Sequence, residues 1–316
     1  MTIRNSHRSF FARTVLATVF AGWAAVAAAQ PNMEEMNKRA DNVGTGPYPA
    51  MKEEDASLPA HVVYRPANLA ALGNQKLGVV AWGNGGCSPD GASSRFHLLE
   101  LASHGYLVIA SGKILSGPGA PPRVEGQQPQ RTAETDLVSA LDWALKENAR
   151  QGSPYYGRID PAQVAVSGFS CGGIQALAVA GDPRIKTLVL QNTGILNEQP
   201  ANGAPGGMLP LKKDDLMKIH TPTIYILGGD TDIAYVNGMD DFKRIEHVPV
   251  AAANLLGVGH GGTYSQENGG VAAQVAVNWL NWQLRGDTTA ARMFVGENCG
   301  LCTDAAWDFE AKRLTP

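Results

Sequence analysis

Val164-Ala165-Val166-Ser167-Gly168-Phe169-Ser170-Cys171-Gly172-Gly173 is a short apolar run that breaks into glycines around a serine and then continues as helix-compatible sequence to Ala180. A buried strand, a turn of the form G-x-S-x-G and a helix start follow one another without a spacer. Such a turn is so tight that its central serine takes a backbone conformation most residues avoid, and glycines at 168 and 172 leave it room. The spacing predicts Ser170 as an exposed nucleophile at the carboxyl end of a strand. A glycine-rich phosphate turn would need G-x-G-x-x-G or a Walker lysine instead, and neither is present.

Working outward, the same strand-then-helix rhythm recurs. His61 to Pro66, Leu77 to Trp82, Tyr106 to Ala110, Ile185 to Leu190, Thr223 to Leu227 and Val248 to Leu256 are apolar runs of strand length, with Val248 to Leu256 read as the last strand. Runs this continuous suit strands covered on both faces. Helical spacing appears from Ser93 to Gly105, from Thr132 to Ala149, from Gly172 to Ala180, from Asp240 to Glu246 and from Ala272 to Arg285. Alternation of this kind predicts an α/β fold with a doubly wound, mostly parallel sheet, because parallel neighbours require crossover connections. Residues 192–220 are rich in Gly, Pro and Asn around a short charged helix candidate, Leu211 to Ile219, and are read as a small lid insertion.

A serine hydroxyl needs a base to take its proton, and the base should stand on a loop after a late strand. His260, in Gly257-Val258-Gly259-His260-Gly261-Gly262, fits. His220 and His247 each precede a proline-marked strand start, at the other end of the sheet, and the histidines other than His260 are read as ordinary surface or core residues. The acid that orients the histidine should follow the preceding strand, where Gly228-Gly229-Asp230-Thr231-Asp232 offers two carboxylates. A G-x-x-D turn from Gly229 favours Asp232, with Asp230 the alternative. The chain order Ser, Asp, His matches that of the strand–turn–helix nucleophile motif, and the acid would hold the imidazole tautomer. Charge developing on a carbonyl oxygen during attack needs backbone donors. Cys171, directly after the serine, would supply one; Asn84, or alternatively Gly85, would supply the other from Gly83-Asn84-Gly85-Gly86-Cys87. Trp82, Phe169 and Tyr235 flank these segments and suggest an apolar substrate pocket.

The chain ends bound the setting. Residues 1–29 carry Arg4, Arg8 and Arg13, then an uncharged stretch closing on Ala27-Ala28-Ala29, which reads as a cleaved signal peptide and hence a secreted or periplasmic protein. The apolar part is shorter than the roughly 20 residues of a membrane span. Of 26 basic residues, removal of those three leaves 23 against 29 acidic ones, and no Lys/Arg-rich run occurs, so nucleic acid is not expected as a partner. No calcium loop, phosphate cradle or metal-ligand cluster appears, so no cofactor and no metal are expected. Residues 30–59 are polar with no sustained period and read as a loosely ordered arm, with one domain over 60–316. Export makes disulfides the default state for cysteine. Cys299 and Cys302 are close enough to pair, and Cys87 with Cys171 would then join the two donor segments; spacing alone does not fix this connectivity.

On these residues the chain resembles the α/β-hydrolase superfamily over nearly its whole mature length. It is most similar to secreted serine esterases of the cutinase, polyester-hydrolase and dienelactone-hydrolase-like groups. The stretch Asp232-Ile233-Ala234-Tyr235-Val236-Asn237 looks like the acid loop of bacterial polyester hydrolases, and the serine turn and Gly-His-Gly turn match theirs in role. Those enzymes usually carry proline at the place of Tyr235, His or Trp at Phe169, Met at Cys171 and an aromatic residue at Asn84. The resemblance implies an α/β-hydrolase-type sheet and hydrolysis of a small-molecule or polymeric carboxylic ester through an acyl-enzyme. A peptidase or amidase with the same three residues, and a fold relative that only binds, are the alternatives.

Overall fold

The computed structural model describes residues 33–122, 130–198 and 208–315; the proposed signal peptide, 1–29, lies outside the described residues. Nine strands form one sheet: β1 (Ala50–Glu53), β2 (His61–Pro66), β3 (Leu77–Gly83), β4 (Tyr106–Ser111), β5 (Ile159–Phe169), β6 (Thr187–Gln191), β7 (Thr223–Leu227), β8 (Val250–Leu255) and β9 (Trp307–Lys312). The helices are α1 (Met33–Lys38), α2 (Arg95–Ser103), α3 (Glu134–Ala149), α4 (Cys171–Ala178), α5 (Tyr235–Arg244), α6 (Gly270–Arg285), α7 (Thr288–Ala291) and α8 (Gly300–Thr303).

Strand order is β1-β2-β4-β3-β5-β6-β7-β8-β9, parallel from β4 to β8 and antiparallel at both margins. The parallel strands bury both faces, and their side chains divide by the two-residue period of extended chain. Val79, Ala81, Ile109, Val166, Leu190 and Tyr225 face α3, α4 and α5. Val80, Trp82, Val108, Ala165, Val189 and Ile226 face α2 and α6. The chain winds from β3 to β4 on one side and from β5 onward on the other, so a crevice opens beyond the carboxyl ends of β3 and β5, where such sheets bind ligands.

Three expectations change. The arm is held, and the sheet begins before residue 60. β1 pairs along β2; Lys52 and Arg95 both meet Asp41; Arg95 Nη2 donates to the Met36 carbonyl at 2.6 Å. Thr45 donates through N and Oγ1 to Glu100 at 2.8 and 2.5 Å. Polar ties, not an apolar stripe, hold this segment, which is why hydrophobic periodicity did not reveal it. β8 is likewise not the last strand: β9 adds an edge whose Asp308 and Glu310 point outward, a charged margin of the kind that discourages further pairing.

The third concerns the lid. Of residues 192–220, the central 199–207 lie outside the described residues. The flanks line the body of the protein: Ile195, Leu216 and Ile219 are buried in the core beneath α4 and α5, and Asn192 and Thr193 are buried beside Ser170. The expected helix is of 3-10 type, Lys213–Lys218.

Glu100 is fully enclosed. Burial alone would raise its carboxyl, but hydrogen bonds from His104, Thr45 and Gln274 outweigh it and hold the pKa down to about 2. A depressed folded pKa gives stability that is present above the unfolded value and lost as pH falls toward 2. Wild type should therefore lose on the order of 2–3 kcal/mol more than Glu100→Gln between pH 5 and pH 2. Parallel pH-dependence of the two in urea titrations would show that these bonds do not hold the arm.

Candidate active site

The site is built where strands end. β5 runs straight into the turn at Ser170, whose φ of +53° lies in the left-handed region. Such a conformation is costly for a residue with a side chain and persists only where surrounding structure imposes it. Packing imposes it here. A Cβ on Gly172 would overlap the Gly83 carbonyl group and stand 2.6 Å from Asn84 N, and a Cβ on Gly168 would overlap Gly172. The start of α4 thus lies directly on the end of β3. The N–H groups of Gly173 and Ile174 turn back to the Ser170 carbonyl at 2.9 and 3.2 Å, and Thr193 Oγ1 donates to the same oxygen at 2.8 Å.

His260 Nε2 is 2.9 Å from Ser170 Oγ, and His260 Nδ1 is 2.6 Å from Asp232 Oδ1. Asp232 follows β7 through the expected G-x-x-D turn, its N–H bonded to the Gly229 carbonyl at 3.0 Å with Gly229 at φ +77°. Its carboxylate accepts three further hydrogen bonds, from Ala234 N at 2.9 Å, Asn192 Nδ2 at 2.7 Å and Gly228 N at 3.1 Å. Burial pushes its pKa up, but the bonds from His260, Ala234, Gly228 and Asn192 prevail and hold it below the ordinary carboxylate value. Asp230, the alternative acid, is exposed to solvent. His220 and His247 bond the carbonyls of Asp182 and Ile219, away from Ser170.

Cys171 and Cys87 are joined as a disulfide, as are Cys299 and Cys302. The first spans 84 residues and links the first residue of α4 to the loop after β3. The Asn84 side chain is turned inward, its Nδ2 donating to the carbonyls of Ser88 and Ser111 at 2.9 and 2.6 Å. Only its main chain therefore faces the turn. Phe169 is half-buried, with its ring 5.3 Å from that of His260 and so close over Gly85 that a Cβ there would strike it.

The substrate-pocket expectation is corrected at one of its three residues. Trp82 is completely buried, because the alternation along β3 directs it onto α2 and α6, 5.2 Å from His97. Tyr235 opens α5 and lines a cavity with Val236, Met239, Lys243 and Glu310.

Comparison with protein families supplies the frame for this geometry: a model described as PET hydrolase-like, the PETase family, matches residues 59–305. The chain belongs to that family. Membership in the PET hydrolase-like family carries the α/β-hydrolase fold and ester hydrolysis as the reaction class. Comparison with curated proteins returns no match. Among the described residues of this PET hydrolase-like chain, no helix is long and apolar enough to cross a membrane, and no group of His, Cys, Asp and Glu could hold a metal ion.

Sequence reading passed over Asn192, Gln191, Tyr264 and His97, which form a buried polar run behind Asp232. No motif marks them. The position of Asn192 directly after β6, at a strand's carboxyl end, was the available signal.

Gly172→Ala should cost on the order of 3 kcal/mol, because the new methyl meets rigid backbone. Gly86→Ala, at φ +63° but facing open space, should cost about 1 kcal/mol. Equal losses in thermal denaturation would contradict the close crossing of β3 and α4.

Proposed function

We propose that the chain is a secreted serine esterase that hydrolyses carboxylic esters, small-molecule or polymeric, through an acyl-enzyme on Ser170. The observation carrying this reading is the hydrogen-bonded line Ser170–His260–Asp232, at 2.9 and 2.6 Å, inside a family of ester hydrolases. His260 takes the Ser170 hydroxyl proton on Nε2 as Oγ bonds to the ester carbonyl carbon. Asp232, held ionised by its donors, keeps the other imidazole proton on Nδ1 and stabilises the imidazolium. The carbonyl oxygen, now negative, is received by the N–H groups of Cys171 and Asn84, the former at the N-terminus of α4. Collapse of the tetrahedral intermediate expels the alcohol, which takes the proton from His260. Water then attacks the acyl-enzyme by the same path and returns Ser170.

Phe169, beside His260 and over Gly85, is the apolar wall we assign to the substrate. Export is supported by the basic-then-apolar order of residues 1–29 and by the two disulfides, which suit an oxidising compartment.

Wild type should hydrolyse p-nitrophenyl butyrate and be phosphonylated stoichiometrically by a serine-directed phosphonate. Ser170→Ala should lose both, and Asp232→Asn should lower kcat by about four orders of magnitude. Wild-type protein inert to both reagents, or preferring anilides to esters, would remove the esterase reading. The Cys87–Cys171 bridge tests the oxyanion assignment separately. Cys87→Ser with Cys171→Ser should cost about 4 kcal/mol of stability, as expected for so long a loop. It should also lower kcat at least tenfold below the melting transition. Unchanged kcat would mean that the bridge does not align the two donors.

A further inference from the structure

We infer that Asn192 and Tyr264 are positioning residues for the hydrolytic reaction, the links of a buried hydrogen-bonded network through which Tyr264 orients Asn192 and Asn192 holds the carboxylate of Asp232. The inference rests on the proposed role of Ser170, His260 and Asp232, and extends it to residues that touch no substrate.

The contacts are continuous. Asn192 Nδ2 lies 2.7 Å from Asp232 Oδ2, and Asn192 Oδ1 lies 2.8 Å from the Tyr264 hydroxyl. That hydroxyl is 3.0 Å from Gln191 Oε1, and Gln191 Nε2 is 2.9 Å from His97 Nε2. All these side chains are buried, and the aromatic rings of Trp82 and Phe169 flank Tyr264 at 6.3 and 4.6 Å.

Donor chemistry fixes the orientation of Asn192. An ionised carboxylate can only accept, so Asn192 must present its NH2 to Asp232 and its carbonyl to Tyr264. Tyr264 has one hydroxyl proton, and Asn192 Oδ1 receives it. The same hydroxyl also faces Gln191 Oε1, so Gln191 presents its NH2 to His97 Nε2. The neutral His97 ring accepts there and carries its proton on Nδ1. His97 Nδ1 and the Trp82 indole nitrogen have no hydrogen-bond partner among the described residues.

The network holds no charge apart from Asp232. Burial drives the His97 pKa down to about 3, against a weaker opposing pull from Glu100, so the ring stays neutral. Burial, reinforced by the Asp232 charge, pushes the Tyr264 hydroxyl well above its ordinary value, so it remains a donor. What reaches Asp232 Oδ2 is an amide NH2 whose orientation the Tyr264 hydroxyl fixes, leaving Oδ1 aimed at His260. Asn192 itself stands at φ +44°, a conformation asparagine tolerates better than most residues, and this places its amide between the two loops.

Tyr264→Phe removes one hydroxyl and keeps the ring; Asn192→Gly removes the amide and keeps the backbone angle. Each should lower kcat for p-nitrophenyl butyrate about tenfold or more with KM within about twofold, the scale seen when groups that orient a reacting centre are lost. Each should also move the acid limb of kcat/KM to lower pH, because a carboxylate no longer aimed at the imidazole stabilises its protonated form less. Active-site titration with a phosphonate separates the positioning role from the esterase reading. Wild type that is not labelled overturns the esterase reading. Labelled wild type and folded variants with unchanged kcat and pH profile overturn the positioning role, whatever their melting temperatures. Should Tyr264→Phe fail to fold, Asn192→Gly decides by the same readouts.

Discussion

Everything at the rim of this sheet depends on two backbones crossing without side chains between them. Gly172 at the start of α4 lies on Gly83 and Asn84 at the end of β3, and Gly168 lies under the same crossing. No other residue type fits there, and the contact sets three things at once. It holds Ser170 at a positive φ with its hydroxyl beside His260. It seats Gly172, next to Cys171, against the Asn84 nitrogen, the side on which the proposed oxyanion site requires its two amides. It also brings Cys87 within bonding reach of Cys171, so a covalent link reinforces what packing creates. Close approach, more than any single side-chain bond, is what converts a wound sheet into a reactive site.

Behind the crossing, the problem is electrostatic. A buried carboxylate loses its hydration and stays ionised only if donors replace it. Asp232 has four, and two of them, the N–H groups of Gly228 and Ala234, come from its own loop. The third, Asn192, comes from the end of β6, so the acid is anchored across two strands rather than on one flexible turn. The fourth is His260 itself. The proposed network through Tyr264 supplies Asn192 with an orientation it would otherwise lack.

Sequence showed those parts of the molecule that local chemistry dictates. The strand–G-x-S-x-G–helix stretch was readable because the turn's demand for glycine is met by residues adjacent in the chain, and the G-x-x-D turn pointed to Asp232 for the same reason. The parallel strands stood out as continuous apolar runs. Trp82 was misread because a residue at a strand end can face either the crevice or the core, and only the pairing of β3 with β4 and β5 says which. β1 and β9 escaped because edge strands need only one apolar face, and Lys52, Glu53, Asp308 and Glu310 break the pattern. The arm from 33 to 53 escaped because Thr45, Asp41 and Arg95 tie it by polar contacts between distant residues. Asn192 and Tyr264 lie 72 positions apart, and nothing in either neighbourhood signals the other.

The chain combines a disulfide at the Ser170 turn with an inward-facing Asn84 side chain, so the loop after β3 is fixed from beneath by Ser88 and Ser111 and from the side by Cys171. In the proposed mechanism this fixed loop and the serine turn together receive the negative oxygen of an ester under attack. A crystal structure of the phosphonate adduct tests it most directly. Phosphorus should be bonded to Ser170 Oγ, with the phosphoryl oxygen within hydrogen-bond distance of the N–H groups of both Cys171 and Asn84. A phosphoryl oxygen directed to solvent, or an adduct on any residue other than Ser170, would contradict it.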